Sequence, residues 1–81
     1  MTFNDLVDHA LTHGIEATHA PRTRSSVASS CGISRAYLYS LLDQRHTPRP
    51  HIRERIARGL ADLTGMARTK VRRHLDEEWA L

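Results

Sequence analysis

Three groups of residues in this 81-residue chain have types and spacings that suit chemistry. Asp5, His9 and His13 stand at i, i+4 and i+8 on one helix edge, a spacing that suits a divalent ion. No fourth ligand accompanies them, and His13 fits equally well as a cation at the negative end of a helix dipole, so no metal is expected. Ser25, Ser26, Ser29 and Ser30, with scattered His and Asp, supply hydroxyl groups. No strand or nucleophile elbow would present them, so the chain reads as a non-enzyme without a cofactor. The lone cysteine, Cys31, cannot form an internal disulfide, which excludes a stapled secreted mini-protein and favours a reducing compartment. At a core position of a helical turn its thiol is inert.

The stronger signal is arginine. Eleven of the twelve basic residues are Arg, whose planar fork suits bidentate contacts to phosphates and base edges. Codon bias in a GC-rich genome is the competing explanation of that excess. The charge is unevenly placed. Residues 1–16 carry −3 through Asp5, Asp8 and Glu16, and the tail Asp76, Glu77 and Glu78 carries −3. Between them, residues 17–75 hold all twelve basic residues against Asp43, Glu54 and Asp62, a balance of +9. A basic middle between acidic ends is the linear image of a polyanion-binding surface.

The elements that must position these arginines are helical. At 9.2 kDa there is room for one domain, residues 1–81, with a thin core. At 40% hydrophobic and 26% charged, the chain is too apolar to be disordered. Its longest apolar run is the four residues Ala36 to Tyr39, so neither a membrane span nor a signal peptide is expected. The first helix is expected over Thr2 to His13, with Thr2 as N-cap, Asp5 as its capping-box partner and Gly14 as the stop. Its apolar face is Phe3, Leu6, Val7, Ala10 and Leu11. Pro21 breaks the segment Glu16 to Arg22. A second helix runs from Thr23 or Arg24 to Cys31, and a third, capped by Ser34, from Arg35 to Asp43. After a loop over Gln44 to Pro50, with Pro50 suited to a first turn, a fourth helix covers about His51 to Thr64 before Gly65. It carries Ile52, Ile56, Leu60 and Leu63 on one stripe. Gly59 inside it should cost about 1 kcal/mol relative to Ala, which implies close approach of another helix backbone. A fifth helix, about 67–79, places Val71, Leu75 and Trp79 at i, i+4 and i+8.

The segment RTRSSVASSCGISRAYLYSLLDQRHTP, Arg22 to Pro48, joins two of these helices through Gly32-Ile33-Ser34. Two helices crossing at a sharp turn leave room for a small side chain, and Ala28 occupies that position. Four residues later the chain must turn with positive φ, where Gly32 stands. Val27, Cys31, Ile33, Leu38 and Leu41 then provide apolar contacts between the two helices.

On these residues, and more loosely on IRERIARGL, the chain resembles the lambda-repressor/Cro-like (Xre-type) family of DNA-binding domains. The likeness covers about half the chain well, and most of it in helix order. It departs from the family pattern at Arg24, where Gln is usual, in a longer connection between the first two helices, and at Leu42-Asp43-Gln44, where the family has Glu–x–Gly. The resemblance implies an all-α, five-helix lambda-repressor-like domain whose helix-turn-helix spans about residues 24–43. In such a domain the third helix enters the major groove with its first residues at base edges. Arg35, Ala36, Tyr39 and Ser40 match the base-reading positions. Arg35 can bond G O6 and N7 together, and Ala36 can meet a thymine methyl. Phosphate contacts fall to Arg24 and Ser25, with Arg22 as a possible addition, then to Ser34 and Tyr37, and to Arg45, His46, Thr47 and Arg49 in the following loop.

Val71, Leu75 and Trp79 are either a dimer surface or part of the monomer's own core. Arg68, Lys70, Arg72 and Arg73 lie near DNA or pair with the acidic tail. The function expected is a sequence-specific, double-stranded-DNA-binding transcriptional regulator. The likeness makes it a homodimeric phage- or plasmid-type repressor on an inverted repeat, located in the cytoplasm with the nucleoid. The alternative is an antitoxin or other interaction module whose C-terminal helix holds a protein partner. An RNA-binding role is weaker, because the four aromatic residues form no evident stacking platform.

Overall fold

The computed structural model describes residues 1–13 and 23–79, apart from the side chain of His13. Gly14, Pro21 and Arg22, read above as a helix stop, a breaker and a phosphate contact, lie outside the described residues, as does the His13 side chain. The described residues form five α-helices and no strand: α1 Phe3–His13, α2 Arg24–Ser30, α3 Arg35–Leu42, α4 Pro50–Thr64 and α5 Arg68–Glu78.

The helix ends follow local chemistry. Asp5 Oδ2 accepts from Thr2 N at 3.0 Å while Asp5 N donates to Thr2 Oγ1 at 3.1 Å, which closes the capping box of α1. Hydrogen bonding from the Thr2 backbone, and then from its side chain, holds the Asp5 carboxyl below the usual aspartate value. Thr23 and Ser26 close a second reciprocal box at the head of α2. Ser34 caps α3 by accepting from Tyr37 N at 3.1 Å. Pro50 opens α4, where its missing N–H costs nothing, and Gly65 closes it in the left-handed region at φ +76°.

One core links all five elements. Phe3, Leu6, Val7 and Ala10 from α1 meet Val27 and Ala28 from α2, Leu38 and Leu41 from α3, Ile56, Ala57 and Leu60 from α4, and Val71 and Leu75 from α5. Trp79 closes the bottom of this core, 5.1 Å from Phe3 between ring centroids. Helix α4 is the spine, packed on α1, α2 and α5. Gly59 explains how α2 lies so close to it. A Cβ at that position would sit 2.7 Å from Ser30 O and 2.8 Å from Cys31 Cα, so only glycine permits this crossing. Cys31 is buried there, its thiol 3.8 Å from Ile56 O, and burial pushes its pKa up to about 12.

Val71, Leu75 and Trp79 are 0%, 0% and 7% exposed, so the apolar stripe of α5 is part of the monomer's core and forms no partner surface. The reason is geometric: α5 lies on α4 and α1 along that stripe. No described helix is long and apolar enough to cross a membrane.

Candidate nucleic-acid interface

Helix α3 is attached on one side only. Leu38 and Leu41 are buried, and its main packing partner is α2. The turn between the two helices is set by Gly32, at φ +69°, and by hydrogen bonds from Cys31, Gly32 and Ile33 N back to the carbonyls of α2. Ile33 covers this corner half-buried. With one face of α3 anchored, the other must project.

The projecting face carries Arg35, Ala36 and Tyr39, all exposed. Tyr39 is 40% exposed and, with Met1, is one of two large hydrophobic residues left open among the described residues. The Arg35 guanidinium carbon stands 5.6 Å from the Tyr39 ring centroid, a cation–π distance. Ser40 is only half-buried, so of the four expected base-reading positions it is the least presented. It sits at the edge where α3 turns back towards the core, its carbonyl accepting from Arg45 N at 3.0 Å.

Arg24 and Ser25 are exposed in the first turn of α2 and line one surface concavity with Thr23, Arg35 and Tyr39. A second concavity brings Arg24 and Tyr39 beside Asn4, Asp8, Leu42 and Asp43. Asp8 and Asp43 therefore set an acidic border on that side. Ser26 N, one of the donors that would have faced a phosphate, is already held by Thr23 Oγ1.

Beyond the far end of α3, Arg45, His46, Thr47 and Arg49 are all exposed. Arg45 makes an open ion pair with Asp43 at 3.7 Å, both side chains mostly in solvent, where such a pair is worth about 0–1 kcal/mol. Tyr37 is half-buried against the core, its ring 4.9 Å from that of His46, so it positions the loop more than it faces outward. Ser34 serves as the helix cap, with its hydroxyl held by that bond.

Two further residues shape this surface. Gln44 adopts φ +58°, the left-handed turn that glycine usually supplies, and the chain there folds back on α3, with Gln44 N donating to Leu41 O and Arg45 N to Ser40 O. Arg53, 19% exposed, is a strut beneath the loop. Its Nη1 donates to Asp76 Oδ1 at 3.2 Å and its Nη2 to Pro48 O at 3.4 Å, while Pro48 itself is buried. Helical spacing separates Arg53 from its exposed neighbours Arg55 and Arg58, because it stands three, four and seven residues before the buried Ile56, Ala57 and Leu60.

Arg24, Arg35 and Arg49 form no ion pair among the described residues, which leaves their charge available. The interface thus comprises a projecting helix face with an unpaired arginine at its head, a basic shoulder on α2 and a basic loop at the far end. Comparison of the chain with protein-family models, with curated proteins and with solved structures finds no match.

Proposed function

We propose that this chain is a sequence-specific, double-stranded-DNA-binding transcriptional regulator with a lambda-repressor/Cro-like fold, acting as a homodimer on an inverted repeat. In this reading α2, the Gly32 turn and α3 are the helix-turn-helix, and α3 enters the major groove. Arg35 contacts guanine O6 and N7, Ala36 approaches a thymine methyl, and Tyr39 borders the same base step. Arg24, Ser25, Arg45, His46, Thr47 and Arg49 hold the phosphates on either side. The observation that carries the reading is the exposure of Arg35, Ala36 and Tyr39 on a helix anchored only from behind, between two sets of exposed basic and hydroxyl residues.

The alternative is an antitoxin or other interaction module whose C-terminal helix holds a protein partner; with Val71, Leu75 and Trp79 in the core, such a partner would meet the polar residues of α5 rather than that apolar stripe. Selection of bound sequences from random duplex DNA tests the proposal. The expected product is an inverted repeat with half-site centres one helical turn apart, about 34 Å, or a multiple of it. Recovery of no enriched sequence would reject it.

A further inference from the structure

The exposed face of α3 extends past Tyr39. Arg35 and Tyr39 stand one turn apart on it, and Asp43 stands one turn further, so the three lie at i, i+4 and i+8. Asp43 keeps that register although α3 ends at Leu42: its φ is −81°, and its N donates to Tyr39 O at 2.9 Å. Between Tyr39 and Asp43, Ser40 and Leu42 are half-buried and Leu41 is buried, so Asp43 is the next side chain that this face presents. Two concavities join along the stripe. Arg35 and Tyr39 line the first, Tyr39 and Asp43 line the second, and Arg24 borders both.

The Asp43 side chain is 61% exposed. Arg45 Nε lies 3.7 Å from its Oδ2, beyond hydrogen-bond distance, and the carboxylate accepts no hydrogen bond among the described residues. An ionised carboxylate accepts and never donates. In the major groove guanine offers N7 and O6 and thymine offers O4, all acceptors that repel it. Adenine sets its N6 donor beside the N7 acceptor. Cytosine alone presents a donor, N4–H2, with no acceptor next to it. A carboxylate on this stripe therefore selects cytosine by attraction and rejects the other bases by repulsion. Arg45 makes it tolerable there, because its cation stays beside Asp43 as the chain approaches phosphate charge.

We propose that Asp43 is a further base-reading residue of this interface and that the base it reads is cytosine. Its distance from Arg35 along the helix is about 12 Å, or roughly three to four base-pair steps of about 3.4 Å. Arg35 then takes guanine at one end of the half-site and Asp43 takes cytosine at the other, with Tyr39 between them. Asp8, which borders the second concavity, comes from α1 and is not on this stripe. The role of Asp43 rests on the DNA-binding function proposed above.

Selection from random duplex DNA by the wild type, Asp43→Ala and Asp43→Asn, each checked for helicity by circular dichroism, tests it. The wild-type half-site should hold a guanine and, about three to four steps away, a cytosine. Asp43→Ala should lose its preference at that cytosine alone. Fluorescence anisotropy on single-base variants should show discrimination there reduced by about 5- to 150-fold. Asp43→Asn, whose amide both donates and accepts, should exchange cytosine for adenine at the same position. If Asp43→Ala binds the selected and a scrambled duplex more tightly by the same factor, the carboxylate only repels phosphates and the proposal is overturned. An enriched sequence that Asp43→Ala leaves unchanged at every position overturns it alone and leaves the DNA-binding function standing. A wild type that enriches no sequence rejects both.

Discussion

The Arg35 guanidinium lies over the Tyr39 ring, one helical turn further along α3, at 5.6 Å from its centroid. Both side chains are exposed, so the stack holds the arginine ready on the projecting face at little entropic cost, worth about 0.5–1 kcal/mol at such a site. Arg35→Lys keeps the charge and loses the planar fork. It should reduce discrimination between the selected site and a single-base variant by about 1–3 kcal/mol, with little change in affinity for unrelated duplex. Tyr39→Leu should weaken specific binding by about 0.5–1 kcal/mol through the lost stack. Fluorescence anisotropy on matched duplexes reads both.

Gly59 separates helix propensity from packing. Propensity alone says that Gly59→Ala should stabilise α4 by about 1 kcal/mol. The new Cβ would instead meet Ser30 O at 2.7 Å, a backbone atom with no rotamer to yield. The substitution should destabilise the fold by about 2 kcal/mol or more, as overpacking of a tight crossing does. Urea denaturation gives the sign directly.

Gln44 is strained in the opposite sense. A side chain at φ +58° costs about 1–2 kcal/mol, and the glycine that would relieve it loses about 0.5–1 kcal/mol to unfolded-state entropy. Gln44→Gly should therefore raise stability by about 0.5 kcal/mol, visible as a higher denaturation midpoint.

Cys31 predicts an alkaline effect. Its thiol has an ordinary pKa of 9.0, raised in the folded state to about 12 by burial. Above pH 9 the unfolded chain releases this proton while the folded chain retains it, so folding binds a proton and stability falls as pH rises, until about pH 12. The slope from this group approaches about 1.4 kcal/mol per pH unit. Cys31→Ala should lack that slope, so the difference between the wild-type and variant stability–pH curves isolates it. Below pH 9 the thiol of the native protein should resist alkylation until the chain unfolds.

Much of this architecture is legible along the chain because its turn chemistry is local. Thr23, Ser34, Pro50 and Gly65 act within one turn of where they stand, and α2 to α4 begin and end within a residue or two of the expected positions. The close approach implied by Gly59 is also found, since a helix-breaking residue inside a periodic segment needs a tertiary reason. What the pattern leaves open is direction in space. The stripe of Val71, Leu75 and Trp79 is equally apolar whether it meets its own core or a twin, and only the packing of α5 on α4 and α1 decides. Ser40 matches an outward position in the family resemblance yet is half-buried, because the chain folds back over the end of α3 and Arg45 N donates to its carbonyl. Arg53 is placed on the buried face of α4 by its helical register, but its partners, Pro48 O and Asp76, come from distant segments that the register does not name.

The central claim is that Arg35 reads bases while Arg24 holds the backbone. Its most direct test is salt-matched binding of the wild type, Arg35→Ala and Arg24→Ala to the selected duplex and to a scrambled one. Arg35→Ala should lose about 1–3 kcal/mol on the selected duplex alone. Arg24→Ala should lose affinity for both duplexes alike and lower the salt slope by about 1. If both variants bind the selected duplex as the wild type does, or if the wild type does not distinguish the two duplexes, the assignment is wrong.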